Sequence, residues 1–113
     1  AARAELRFDE AASASRAVLA RDPSHAVAAR ALAWSLAQLG RSDEAIAAYD
    51  AALERNAEDD ELRSARADLL TLLNRLPQAA AGWRELLERN PANLFARSRL
   101  AIVSEYLGDV GQA

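Results

Sequence analysis

The sequence predicts an all-α fold made of a repeated helical unit. Hydrophobic residues fill 51% of the 113 positions, but Ala and Leu dominate them and aromatic residues account for only 5%. Ala and Leu favour helices, whereas the β-branched residues that favour strands are scarce. The tetrapeptide Leu-Glu-Arg-Asn occurs at residues 53–56 and again 34 residues later, at 87–90. A fixed period of this length is typical of stacked units that share one continuous core.

Each unit contains two helical patterns separated by a short break. Apolar residues recur at helical spacing on the first helix of the clearest unit, namely Leu32, Ala33, Leu36 and Leu39. The second helix shows the same spacing with Ala45, Tyr49, Ala52 and Leu53. Trp83 lies 34 residues after Tyr49, so we expect both aromatic rings to belong to the core.

Glycine, asparagine and proline mark the predicted helix ends. Three breaks carry a residue that tolerates the left-handed backbone at the end of a helix: Gly40, Asn74 and Gly108. Leu6 takes the equivalent place at the first break. We expect Ser42 to cap one second helix, and Pro77 to lie at the start of another, where its missing N–H costs little. His25 is expected at a helix start or on the surface.

In this register the chain resembles the tetratricopeptide repeat (TPR) family. Residues 40–46 (Gly-Arg-Ser-Asp-Glu-Ala-Ile), Tyr49 and residues 52–53 (Ala-Leu) match the second half of the family pattern. In the first half the match is looser, with Leu32-Ala33 standing for Leu-Gly and Leu36 for Tyr. The resemblance implies a right-handed α-solenoid of antiparallel helix pairs, with about three repeats.

The register also gives the expected repeat boundaries. Residues 26–59 and 60–93 are complete repeats. Residues 1–25 form a partial repeat, with the end of a first helix and a whole second helix, and residues 94–113 another, with a first helix and the start of a second. Because both ends cut through a repeat and all 14 basic residues are Arg, we expect a segment of a larger bacterial TPR protein.

The TPR resemblance implies that the first helices line a concave groove. Nine residues on one stripe of these helices are the expected groove residues: Val27, Arg30, Trp34, Gln38, Glu61, Asp68, Phe95, Ile102 and Tyr106. The stripe also includes Ser64, Ser98 and either Thr71 or Leu72. Trp34 and Arg30 are of the types enriched at binding hot spots. Two alternatives stay open: Trp34 packs on a neighbouring helix or an adjoining repeat, and Tyr106 covers an exposed end of the array.

The expected function is that of a non-enzymatic scaffold that binds a partner protein or peptide in this groove. Glu61 and Asp68 would repel the carboxylate that some TPR grooves clamp, so we expect a partner with Arg or Lys and apolar anchors. One alternative is a structural spacer without a partner of its own. Another is self-association through the uncapped ends of the array.

The composition indicates what the chain lacks. There is no Cys and only one His, and the acidic run at residues 58–61 falls at a helix start, so we expect no metal, no cofactor and no catalytic site. A net charge of −3 disfavours nucleic acid, and no stretch suggests membrane insertion. The compartment is undecided. The Ala-, Leu- and Arg-rich style is similar to periplasmic scaffolds of exopolysaccharide export or secretion.

Overall fold

The computed structural model describes the backbone of residues 2–112 and the side chains of residues 5–108. Within these residues it has six helices and no strand, so the expected all-α class is confirmed. The helices are α1 (Ala2–Arg21), α2 (Ala26–Gln38), α3 (Ser42–Arg55), α4 (Asp60–Leu72), α5 (Leu76–Arg89) and α6 (Leu94–Gln112). The chain divides into two compact units, Ala1–Leu62 and Arg63–Ala113. In the first unit α2 packs on both α1 and α3, and in the second α5 packs on α6.

The turns after α2 and α4 end their helices in the same way. Gly40 donates its N–H to the carbonyl of Ala37 at 3.1 Å, and Arg41 donates to the carbonyl of Leu36 at 2.9 Å. Gly40 has a φ of 79°, and the turn at Asn74 repeats both hydrogen bonds with a φ of 61°. These bonds form a Schellman motif, which satisfies the last carbonyls of a helix. The predicted helix ends at Gly40 and Asn74 are therefore confirmed.

The start of α3 differs from the expectation. Ser42 is the first residue of the helix and not its N-cap, which is Arg41. The cause is the tightness of the preceding turn, because the residue that completes the Schellman motif of α2 also precedes α3 directly. Arg41 instead donates from Nε to Glu44 Oε2 at 2.6 Å, one turn into the helix. Pro77 lies in the first turn of α5, as predicted.

Two of the predicted breaks are wrong. Helix α1 continues without interruption past Leu6, and α6 continues through Gly108. Leu favours the helix, and a glycine inside a helix costs only about 1 kcal/mol, so neither residue imposes a break. The segments expected to hold parts of two helices thus hold one helix each. Ala1 and Ala113 lie outside the described residues, and the repeat boundaries stay a prediction.

Side chains 34 residues apart start the first helices. His25 Nδ1, Asp59 Oδ1 and Asn93 Oδ1 each accept a hydrogen bond from the N–H three residues later, at 3.1, 3.1 and 3.0 Å. Each bond satisfies one of the N–H groups that a helix start leaves without an intrahelical partner. The helix-start role expected for His25 is confirmed, and Asp59 gives the acidic run the same role.

Trp83 forms the centre of the second unit. Its side chain is fully buried, its Nε1–H donates to Thr71 Oγ1 at 3.2 Å, and its ring meets that of Phe95 edge-on with centroids 5.6 Å apart. Tyr49, at the equivalent position of the first unit, is buried as well. The predicted core role of both aromatic residues is confirmed.

The two tryptophans offer a matched test of this core. We expect Trp83→Ala to lower the free energy of unfolding by about 3–5 kcal/mol, since it leaves a large cavity. Trp34→Ala removes an exposed side chain and should change it by only about 0.5 kcal/mol. Urea denaturation followed by circular dichroism measures both, and equal losses would contradict the assignment. If Trp83→Ala does not fold, Thr71→Val should cost about 1–3 kcal/mol by leaving the indole N–H without its acceptor, while Thr71→Ser retains the bond.

The two glycines offer a second test, because they lie in different backbone conformations. Gly40 has a positive φ, so Gly40→Ala should destabilise the fold by about 1–2 kcal/mol. Gly108 lies inside a helix with open space around it, so Gly108→Ala should stabilise the fold by up to about 1 kcal/mol. Thermal unfolding of the two variants checks the signs. A destabilising Gly108→Ala would restore the helix break that the sequence predicted there.

Candidate partner-binding surfaces

Helix α2 presents most of the candidate residues of the first unit to solvent. We call the set the first-unit surface: Val27, Arg30, Trp34, Gln38 and Glu61. The core-facing side of α2 is buried, with Ala28, Ala29, Leu32, Ala33 and Leu36. Residues three or four apart share a helix face, so the candidates of α2 follow one outward stripe. Trp34 leaves 57% of its surface exposed, and Val27 leaves 60%.

An exposed ion pair joins the two charged members of the first-unit surface. Arg30 Nη1 lies 3.6 Å from Glu61 Oε2, and the two side chains are 40% and 79% exposed. An ion pair of this kind contributes at most about 1 kcal/mol, because water screens it. Glu61 is therefore compensated by Arg30 but stays accessible to a charged partner group.

Helix α6 carries most of the candidate residues of the second unit. The second-unit surface consists of Asp68, Phe95, Arg99, Ile102 and Tyr106. The guanidinium carbon of Arg99 lies 4.9 Å from the centroid of the Phe95 ring, and its Nε lies 4.0 Å from Asp68 Oδ1. Phe95, Ile102 and Tyr106 are exposed. Phe95 is thus held between the buried ring of Trp83 and the cation of Arg99, which fixes its orientation.

Arg99 is the functional candidate that the sequence analysis missed. The stripe drawn from the sequence passed through Ser98, although Arg99 follows Phe95 by four residues, the spacing at which helical side chains meet. Its position changes the expected charge of the surface. Asp68 and Glu61 were expected to make an acidic centre, but each carboxylate has its own arginine.

The structure also decides between Thr71 and Leu72. Thr71 Oγ1 donates to the carbonyl of Ala67 at 2.9 Å and accepts from Trp83, so this side chain belongs to the core. Leu72 is exposed and takes the place on the outward stripe. Leu94, beside Phe95, is a further exposed apolar side chain that the sequence did not single out.

The described residues offer no arrangement for metal chemistry or membrane insertion. Among residues 5–108, no group of three or more His, Cys, Asp or Glu side chains is placed to hold a metal ion. Over residues 2–112, no helix combines the length and the apolar character that a membrane span requires.

Paired helices, a 34-residue spacing of capping and core residues, and outward stripes on the first helices define a helical-repeat protein. A family model described as tetratricopeptide repeat matches residues 2–69. The chain therefore belongs to the tetratricopeptide repeat family, as its resemblance implied. No curated protein matches it.

Two solved structures show the same fold. The first TPR of Spaghetti (RPAP3) bound to the HSP90 peptide SRMEEVD is 24% identical with a TM-score of 0.76, covering 90% of this chain and 81% of that one. The NMR structure of the first TPR domain of the human RPAP3 protein is 23% identical with a TM-score of 0.78, covering 94% and 84%. Identities this low show a shared fold alone.

The exposure of Trp34 can be measured apart from any partner. In Trp34→Phe the only indole is the buried Trp83, so we expect blue-shifted emission and weak quenching by acrylamide. In Trp83→Phe the only indole is Trp34, and we expect red-shifted emission with several-fold stronger quenching. Circular dichroism confirms that each variant is folded. Similar quenching constants in the two folded variants would contradict the placement of Trp34 on the surface.

Proposed function

We propose that the chain is a non-enzymatic scaffold that binds a partner protein or peptide on the first-unit and second-unit surfaces. The observation that carries the proposal is the exposed indole of Trp34, one helical turn from Arg30. Trp and Arg are enriched at binding hot spots, and a large exposed aromatic side chain gains free energy when a partner covers it.

The second-unit surface supports the proposal by its fixed geometry. Phe95 is held in place by Trp83 below it and Arg99 above it, so binding orders little that is not already ordered. A receptor group that is oriented before binding loses less conformational entropy, which leaves more free energy for affinity.

The charges of the two surfaces suggest the chemistry of the partner. Glu61 is the most exposed charge of the first-unit surface, and Asp68 is 43% exposed beside Arg99. We propose a partner segment with apolar anchors and at least one Arg or Lys. The RPAP3 domain holds the acidic HSP90 peptide SRMEEVD, which supports peptide binding by this fold. A peptide with that charge would face Glu61 and Asp68 here, so we propose a different ligand.

The setting of this scaffold is a separate proposal. Exopolysaccharide export or secretion rests only on the Ala-, Leu- and Arg-rich composition and the family resemblance. The spacer alternative assigns no partner to either surface, and it makes the opposite prediction in the experiment below.

A random peptide library displayed on phage and panned on the folded chain tests partner binding. We expect enriched peptides to share an apolar residue and an Arg or Lys. Trp34→Ala and Phe95→Ala should each weaken a chosen peptide at least about tenfold by calorimetric titration, since truncating a hot-spot residue costs about 2 kcal/mol or more.

Matched controls lie on the same helical scaffold. Leu6→Ala removes a side chain with the same 57% exposure as Trp34, and Leu94→Ala removes the exposed neighbour of Phe95. Neither residue belongs to a candidate surface, so both variants should keep the affinity. Enriched peptides that bind the Trp34→Ala and Phe95→Ala variants unchanged would overturn the proposed surfaces, and a library that yields no peptide would favour the spacer.

A further inference from the structure

Helix α4 covers the pair of helices α5 and α6 in the second unit. Ala67 of α4 lies so close to Gly82 of α5 that a Cβ placed on Gly82 would be 3.1 Å from the Ala67 Cβ. Thr71 of α4 accepts the hydrogen bond of Trp83 on α5. These contacts join a first helix to the second helix that follows it, and the pair of Asp68 with Arg99 links α4 to α6.

The pair α1 and α2 is equivalent to the pair α5 and α6, because their residues lie 68 apart and both pairs pack together. The face that α4 covers in the second unit is open in the first. Ala14, equivalent to Gly82, is exposed, and so is Ala31, equivalent to Arg99. Ser15 replaces Trp83 there, and an apolar cavity of about 230 Å³ opens between α1 and α2. Its lining includes Ser15, Val18, Val27 and Ala31.

Helix α6 has the register of α4, with every residue 34 positions later. Ala101, equivalent to the fully buried Ala67, is exposed on α6. Ile102, equivalent to Asp68, is exposed as well. The ionic contact of Asp68 with Arg99 therefore has an apolar counterpart, Ile102 with Ala31, on two surfaces that no described helix covers.

We propose that the chain associates head to tail, with α6 of one copy covering α1 and α2 of the next copy in the way that α4 covers α5 and α6. Ile102 of one copy then enters the cavity beside Ala31 of the other, and Ala101 meets Ala14. Ala48 of α3 shows that Ala is accepted at the position of Gly82, with the helices a few tenths of an ångström farther apart. The contact uses different surfaces on the two copies, so it propagates instead of closing into a symmetric dimer.

The wild-type chain should show a mass that rises with concentration in sedimentation equilibrium. Ile102→Arg blocks the α6 surface and Ala31→Arg blocks the α1–α2 surface, so each variant should be monomeric. Both residues are exposed, and circular dichroism should show unchanged helix content. Ala47→Arg, on an exposed position of α3 outside both surfaces, is the control and should associate like the wild type.

Mixing separates head-to-tail association from other kinds. An equimolar mixture of the Ile102→Arg and Ala31→Arg variants keeps one intact contact, so it should reach twice the monomer mass and no more. In one chain, Ile102→Asp with Ala31→Arg recreates the charges of the Asp68–Arg99 contact and should restore association. A monomeric wild type, single variants that associate like the wild type, or a mixture that stays monomeric would overturn the inference. Peptide binding through Trp34 is measured separately and does not depend on this result.

Discussion

A helix of this chain needs a neighbour to cover its apolar stripe, and the rest of the structure depends on that constraint. Helices α2 to α5 have 13 or 14 residues, a length at which an isolated helix is marginal in water. Their stability therefore comes from packing. Small residues make the packing close, as Ala67 and Gly82 show, and one aromatic ring, Trp83, fills the space between neighbouring helices.

The same constraint determines the turns. Two helices can cover each other only if the chain reverses direction within a few residues, and each short turn leaves helix-end groups that need hydrogen-bond partners. The Schellman motifs at Gly40 and Asn74 and the caps at His25, Asp59 and Asn93 supply them. Residues that pack or cap recur every 34 positions, while residues on the outward stripes are free to differ. Function is therefore to be sought where Trp34, Asp68 and Ile102 differ at equivalent positions.

The sequence predicted the all-α class, the family, the buried aromatic residues and two of the helix ends, because each depends on local chemistry that repeats. It failed at Leu6 and Gly108, where a register argument assumed breaks that the residues themselves do not impose. Arg99 was missed for a different reason. A stripe on one helix can be drawn from the sequence, but the approach of Arg99 to Asp68 depends on how two helices pack, and no spacing within one helix reports that.

The equivalent positions 68 and 102 show how one place in a repeat can serve two purposes. Asp68 lies opposite Arg99, and the charge of each is compensated within the unit, so this contact holds neighbouring helices together. Ile102 has no such arginine, since the residue at the place of Arg99 in the uncovered pair is Ala31. An exposed isoleucine and an exposed alanine favour an apolar contact for which a charged partner would be unsuitable. The character of an outward residue in this chain therefore depends on the residue across from it as much as on its own place in the repeat.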